Sequence, residues 1–321
     1  MFIRFFIVVF CVLLGFCSCQ STEAEKINVS DVAVSFSLHR FDVDFYTATK
    51  DSLPKLKNKY PYLFPAEFTD SIALLKINDV DEQVLYDETQ KIYKEIDDFE
   101  ASFTDLFKHI KYYNPRFKSP NIVTMLSNID YSSRVIYADS LLLVSLDVFL
   151  GKEHPFYSDY PDYIKQNNKK ENVIVEAANS IIDKQVLKKL HRTFISKMIY
   201  EGKKMYMLDS YLPKVSNEYK MGCSKDKYDW LLENEIDIWK YFIEKNILFS
   251  TDSKLDKRFL DQGPFSKFYL QNDISSPGRV GAWIGLQIVS SFMQNNDVSL
   301  QKLLTLESEY IYNHSKYKPK K

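Results

Sequence analysis

Apolar positions along this chain recur mostly at helical spacing, with one interval near the middle where they alternate or run together. The longest helical pattern spans residues 187–213. Leu187, Leu190, Phe194, Met198 and Met205 follow one another at steps of three, four, four and seven, which places them on one face of a helix. Glu201 falls on the same stripe, three residues after Met198 and four before Met205. A carboxylate turned toward a core is costly unless it is paired. Glu201 is therefore the first candidate for a functional group, and a Glu that snorkels to water or pairs with a Lys is the plainer explanation.

Other segments fill in the architecture. Residues 32–45 alternate, which predicts a strand, bulged at His39–Arg40, with His39 and Asp42 on its solvent face. Residues 72–77 and 80–109 predict helices starting near Asp81 and Asp87, with Ile92, Ile96, Phe99, Phe103 and Phe107 turned inward. Runs at 122–129, 134–138 and 141–148 are β-prone and separated by turn residues, which predicts a small mixed or antiparallel sheet. Residues 173–190 are helical and either join the next helix or break near Lys184. Ser224 caps a helix to Lys245 with Leu232, Ile236, Trp239 and Ile243 on one face. The last strong helix opens with Ser276 as N-cap and Pro277 in its first position, and runs to about Gln294. It contains Gly281 and Gly285, and each helical Gly costs about 1 kcal/mol relative to Ala. That spacing predicts close approach of another backbone. Arg279 sits in the first turn, where a cation opposes the helix dipole, so it calls for an anionic partner; Glu201 is the first candidate. The expected class is α+β, predominantly helical, with long helices and a small sheet.

The N-terminus changes the picture. Arg4 is the only charge in the first 22 residues, and residues 5–16 are apolar or small, too short to span a bilayer as a helix of ~20 residues. Cys19, preceded by Ser18, fits a lipoprotein cleavage site better than Cys17, which follows the bulky Phe16. An ordinary secretory signal is the alternative. The expected organisation is a signal peptide at 1–18, a lipid-bearing Cys19 and flexible tether at 19–30, and a single globular domain at 31–318. Such an anchor makes the membrane a partner, provided more than one acyl chain is attached.

Composition excludes more than it suggests. Losing Arg4 with the signal leaves 41 of 42 Lys+Arg against 43 Asp+Glu, a net charge of −2, which gives no electrostatic case for nucleic acid. Of four Cys, only Cys19 and Cys223 follow the signal, so no disulfide framework and no Cys-based zinc site is expected. The five His, at 39, 109, 154, 191 and 314, include no i,i+4 pair, so the zinc-peptidase helix is missing. His154, Asp159 and Asp162 lie in one aromatic loop, but their spacing matches no ligand template. A phosphate loop, a nucleophile elbow and a dinucleotide fingerprint are all lacking. No metal, cofactor or catalytic residue is expected.

Four blocks carry a resemblance: LDVFLGKEHPFYSDYPDYI (146–164), TFISKMIYEGKKMYMLDSYLP (193–213), WLLENEIDIWKYFIEKNILFSTD (230–252) and, above all, SPGRVGAWIGLQIVSSFM (276–293). With RFDVDFY (40–46) and the lipoprotein signal, they make the chain resemble the gliding-motility lipoprotein GldB family of the Bacteroidota. The resemblance implies a lipid-anchored protein of the cell envelope, facing the periplasm and required for gliding. Its partners would be other gliding or secretion-machinery proteins, in organisms whose motility is coupled to type IX secretion. It supplies no reaction. The order of sheet, helix and Glu201–Gly202 is similar to zincin-type peptidases, but the metal helix should fall at 173–183, which holds no His. Two alternatives stand beside a non-catalytic role. One is a divergent hydrolase built on Glu201, His154 and Arg279. The other is a periplasmic ligand or cell-wall binding module using the aromatic loop at 156–163.

Overall fold

The computed structural model describes residues 27–187 and 192–320. Val32–Lys321 form one compact unit, and the fold is that unit's. Among the described residues four short strands and fifteen α-helices build it. The strands are β1 (Leu38–Arg40), β2 (Asn121–Met125), β3 (Val135–Ala138) and β4 (Leu141–Ser145). The first seven helices are α1 (Phe41–Tyr46), α2 (Leu53–Lys59), α3 (Asp70–Ile77), α4 (Val80–Tyr93), α5 (Asp97–Tyr113), α6 (Asp162–Lys165) and α7 (Asn172–Gln185). Eight more follow: α8 (Phe194–Tyr211), α9 (Asn217–Met221), α10 (Lys225–Glu233), α11 (Glu235–Glu244), α12 (Lys254–Phe259), α13 (Val280–Asn295), α14 (Leu300–Thr305) and α15 (Ser308–His314). The class is α+β and predominantly helical.

The sheet is mixed, in the order β1-β2-β4-β3. β2 runs parallel to β1 and to β4, with Ile122 opposite both Leu38 and Leu142, while β3 and β4 form an antiparallel hairpin. Ile122, Val123 and Thr124 are all buried, so β2 is covered on both faces, as a central parallel strand must be. Only β1 survives of the long strand expected at 32–45. The chain turns into α1 at Phe41, because Phe41 and Phe45 bury together at helical spacing. That turn carries Asp42 inward, not onto a solvent face. Asp42 is fully buried, takes a forked pair of hydrogen bonds from Arg40 at 2.9 and 2.7 Å, and accepts others from Gln90 and Thr124. A buried carboxylate persists only when paired in this way.

The core is centred on α13, which is buried nearly all round: Val280, Ala282, Trp283, Ile284, Ile288, Val289 and Phe292 are enclosed. It packs on α8, α12 and α15. α8 meets it backbone to backbone. A Cβ on Gly285 would stand 1.8 Å from the Met198 carbonyl oxygen, and one on Gly202 would stand 2.2 Å from the Gly285 carbonyl carbon. Only glycine at both places allows this approach; of the expected Gly pair in α13, Gly285 makes it, while a Cβ on Gly281 would stand 3.0 Å from the Phe259 carbonyl oxygen.

Several boundaries differ from expectation. The helix expected from residue 187 begins at Phe194; Leu187 is exposed and lies outside it, and Leu190 and His191 fall outside the described residues. α7 ends at Gln185, so the break near Lys184 is the observed alternative. α4 is capped by Asp79, whose carboxylate accepts from the Asp81 and Glu82 amides at 3.0 Å, and α5 starts anew at Asp97. Ser224 does cap its helix, but the segment breaks at Asn234 into α10 and α11. The buried face there is Leu231, Ile238 and Phe242, while Leu232 and Ile243 are half exposed. α13 starts at Val280, not at Pro277. Ser276 instead donates to the Asp273 carbonyl at 2.7 Å, and Arg279 occupies the N-cap in the left-handed region, at φ 62°.

Two predictions follow from the packing. Gly285→Ala, like Gly202→Ala, will force α8 and α13 apart and cost more than about 3 kcal/mol in chemical denaturation. Gly281→Ala meets its first neighbour only at 3.0 Å and will cost less. The second concerns Asp147, which is fully buried and accepts hydrogen bonds from the Ser127 amide at 3.0 Å and the Ile129 amide at 2.7 Å. Burial pushes its carboxyl up to about 6, with those two amides pulling back. A raised carboxyl stabilises the folded state below its ordinary 3.8, and that contribution is lost as pH rises through 6. Asp147→Asn cannot titrate. Its stability relative to wild type will therefore rise between pH 4 and 7, by up to about 3 kcal/mol, in urea titrations across that range.

Candidate functional site

α8 contributes Lys204 to a polar cavity of about 250 Å3, and its neighbour α7 contributes Glu176, Asn179, Ser180 and Asp183; Glu201, one turn before Lys204, lies behind the lining. Lys204 Nζ lies 2.9 Å from Asp183 Oδ1 and 3.4 Å from Glu201 Oε2. Burial works against that ammonium, but the two carboxylates outweigh it and hold Lys204 above its ordinary range. Arg279 Nη2 approaches the same Glu201 Oε2 at 3.6 Å. Two further ion pairs border the cavity. Arg134 meets Glu176 at 2.9 Å, with its guanidinium 4.1 Å above the Tyr131 ring, and Lys220 meets Asp209 at 2.6 Å. Glu201 is thus a carboxylate between two cations, and its stripe position is compensated by charge.

A second cavity, of about 330 Å3, lies alongside, and Met221, Gly222, Gln262 and Arg279 line both. Its walls include Tyr163, Pro264, Phe265 and Pro277. The local sequence explains two of its edges. Gly222 ends α9 in the left-handed region at φ 72°, and the Gly222 and Cys223 amides both donate back to the Glu218 carbonyl, a glycine-terminated helix end. Arg279 takes the same backbone region without being glycine, at the start of α13. Cys223 borders this cavity, but burial pushes its thiol up to about 12, so it is not poised as a nucleophile at neutral pH. Lys227 donates to the Ser276 carbonyl at 2.9 Å and to that of Pro264.

Glu201 and Arg279, both singled out in the sequence, lie together here. His154 does not join them. Its Nε2 is 3.5 Å from Glu88 on α4, its ring packs edge-on to Phe156 at 4.7 Å, and it lines neither cavity. Asp159 is exposed and lines neither. In the aromatic loop Tyr157 is buried, and Phe156, Tyr160 and Tyr163 are partly buried. The Tyr157 hydroxyl donates to the Asp147 carbonyl at 2.6 Å and accepts from the Leu150 amide, and Tyr160 donates to the Ile129 carbonyl. Asp162 and Tyr163 reach the larger cavity. Among the described residues no three His, Cys, Asp or Glu side chains cluster as a cation site. Cys19, the expected lipid-bearing residue, lies outside the described residues. Lys204, Asp183, Arg134 and Gln262 join the site without a motif that marks them in the sequence. Lys204 was detectable as the helical i+3 neighbour of Glu201; the other three arrive from distant segments.

The region holding this site falls within a family-scale match: the model of the gliding motility protein GldB aligns with residues 22–319. The chain belongs to the GldB family. No curated protein and no solved structure matches it significantly. Membership gives the GldB-family chain a role in gliding motility. Among its described residues no helix is long and apolar enough to cross a membrane.

The Glu201–Arg279 pair is about three-quarters buried on each side, which predicts a modest coupling. A double-mutant cycle with Glu201→Gln and Arg279→Gln will give about 0.5–1 kcal/mol of favourable interaction in denaturant unfolding at low salt, reduced in 1 M NaCl. Strict additivity at low salt contradicts the pairing.

Proposed function

We propose that this GldB-family protein is a lipid-anchored, non-catalytic component of the gliding apparatus, linked to type IX secretion and facing the periplasm. The observation that carries the motility assignment is the family match over residues 22–319. The sequence around Cys19 supports the anchor: a short apolar leader with a single charge, then a small residue directly before the cysteine. The state of Glu201 supports the non-catalytic reading. A general base needs a free lone pair aimed at substrate, whereas this carboxylate is held between Lys204 and Arg279. His154, the partner a hydrolase would recruit, is engaged with Glu88.

Deletion of the gene will abolish spreading and single-cell gliding, and full-length Glu201→Gln will restore both to wild-type levels. A deletion strain that glides normally overturns the role. Failure of a stably expressed Glu201→Gln points back to chemistry at that carboxylate. Labelled palmitate will enter the wild-type chain and not Cys19→Ala; incorporation that persists in the variant removes the anchor assignment.

A further inference from the structure

We infer that the two cavities meeting at Arg279 form one binding site for a small amphipathic anion, with its carboxylate or phosphate against the Arg279 guanidinium and its apolar part in the larger cavity. The cations of the polar cavity differ in how they are satisfied. Arg134, Lys204 and Lys220 each have a carboxylate within 2.6–2.9 Å. Arg279 has Glu201 at 3.6 Å, beyond the ~2.7–2.9 Å of a charge-assisted hydrogen bond. Among the described residues it donates no side-chain hydrogen bond, although its side chain is only 24% exposed. A guanidinium carries five donors in a fork that matches carboxylate and phosphate. Here that fork stands at the partition between the cavities.

The backbone at Arg279 lies in the left-handed region, at φ 62°, which favours glycine, so Arg279→Gly is a compatible substitution there. The larger cavity supplies the apolar half. Met221, Pro264, Phe265 and Pro277 wall it, Lys152 and Lys227 add positive charge, and the carboxylate there, Asp162, is tied to Lys165 at 3.0 Å. Its volume of about 330 Å3 suits one ring or short chain with an acidic head. The reading goes beyond the motility role and does not depend on it.

The test is titration of the full-length protein in neutral detergent, at low salt, with 4-phenylbutyrate, 4-phenylbutyl phosphate and the neutral 4-phenylbutanol, against detergent blanks. At least one anion will bind more than about tenfold tighter than the alcohol. A preference for the phosphate marks phosphate-bearing ligands, and the reverse marks carboxylates. Arg279→Gly will lose about tenfold or more of that affinity with its melting temperature within ~2 °C of wild type or above it, since glycine accepts the left-handed backbone. A purely structural Arg279 would instead lower the melting temperature. Gln262→Glu, at an exposed position lining both cavities, will weaken anion binding without unfolding the chain, and it decides the matter if Arg279→Gly fails to fold. Equal binding of alcohol and anions overturns the proposal. So does no binding of any probe, or unchanged affinity in the folded variants.

Discussion

Two helices of this protein touch through their backbones. Gly202 on α8 and Gly285 on α13 leave no room for a Cβ on either side, and the Met198 carbonyl sits against Gly285. Helices usually pack 8–10 Å apart, at a distance set by their side chains; removing the side chains at the crossing locks the two axes together. α13 is the most enclosed helix of the fold, so its place fixes the core around it. The residue before Gly202 is Glu201, and the residue before α13 is Arg279. The contact that orders the core also sets how α8 presents Glu201 to Arg279.

Around that crossing, charge is handled in two ways. On the sheet side, single carboxylates are buried and fully wired: Asp42 into Arg40, Gln90 and Thr124, Asp147 into the Ser127 and Ile129 amides. These fix short strands and turns. In the cleft, cations and carboxylates alternate as partly exposed pairs that cancel one another. Such a lining is polar and close to neutral, and Arg279 is where the cancellation is least complete.

Much of this was legible in the sequence. Helical periodicity located most of the long helices, the β-prone runs at 122–148 located three of the four strands, and Gly285, one of the two helical glycines, marked the close contact. What misled was local pattern where tertiary burial decides. FDVDFY alternates like a strand, yet Phe41 and Phe45 bury as a helical i,i+4 pair and take Asp42 with them. The stripe at Leu232 and Ile243 assumed one helix, but the break at Asn234 rotates α11 and buries Ile238 and Phe242 instead. Ser276–Pro277 mimics a helix start, which by sequence alone puts Arg279 in the first turn. Ser276 spends its hydroxyl on the 266–273 loop, leaving the helix to begin later. The cleft itself could not be seen, since Arg134, Asp183, Gln262 and Arg279 come from four segments that only the fold brings together.

The backbone contact at Gly202 and Gly285 makes α8 and α13 one cooperative unit, which native-state hydrogen exchange can test. The amides of residues 198–205 and 282–289 will exchange only through global unfolding, with the same free energy and the same denaturant dependence in both helices. Exchange of either stretch through a separate, lower-energy opening, while the other stays protected, would contradict it.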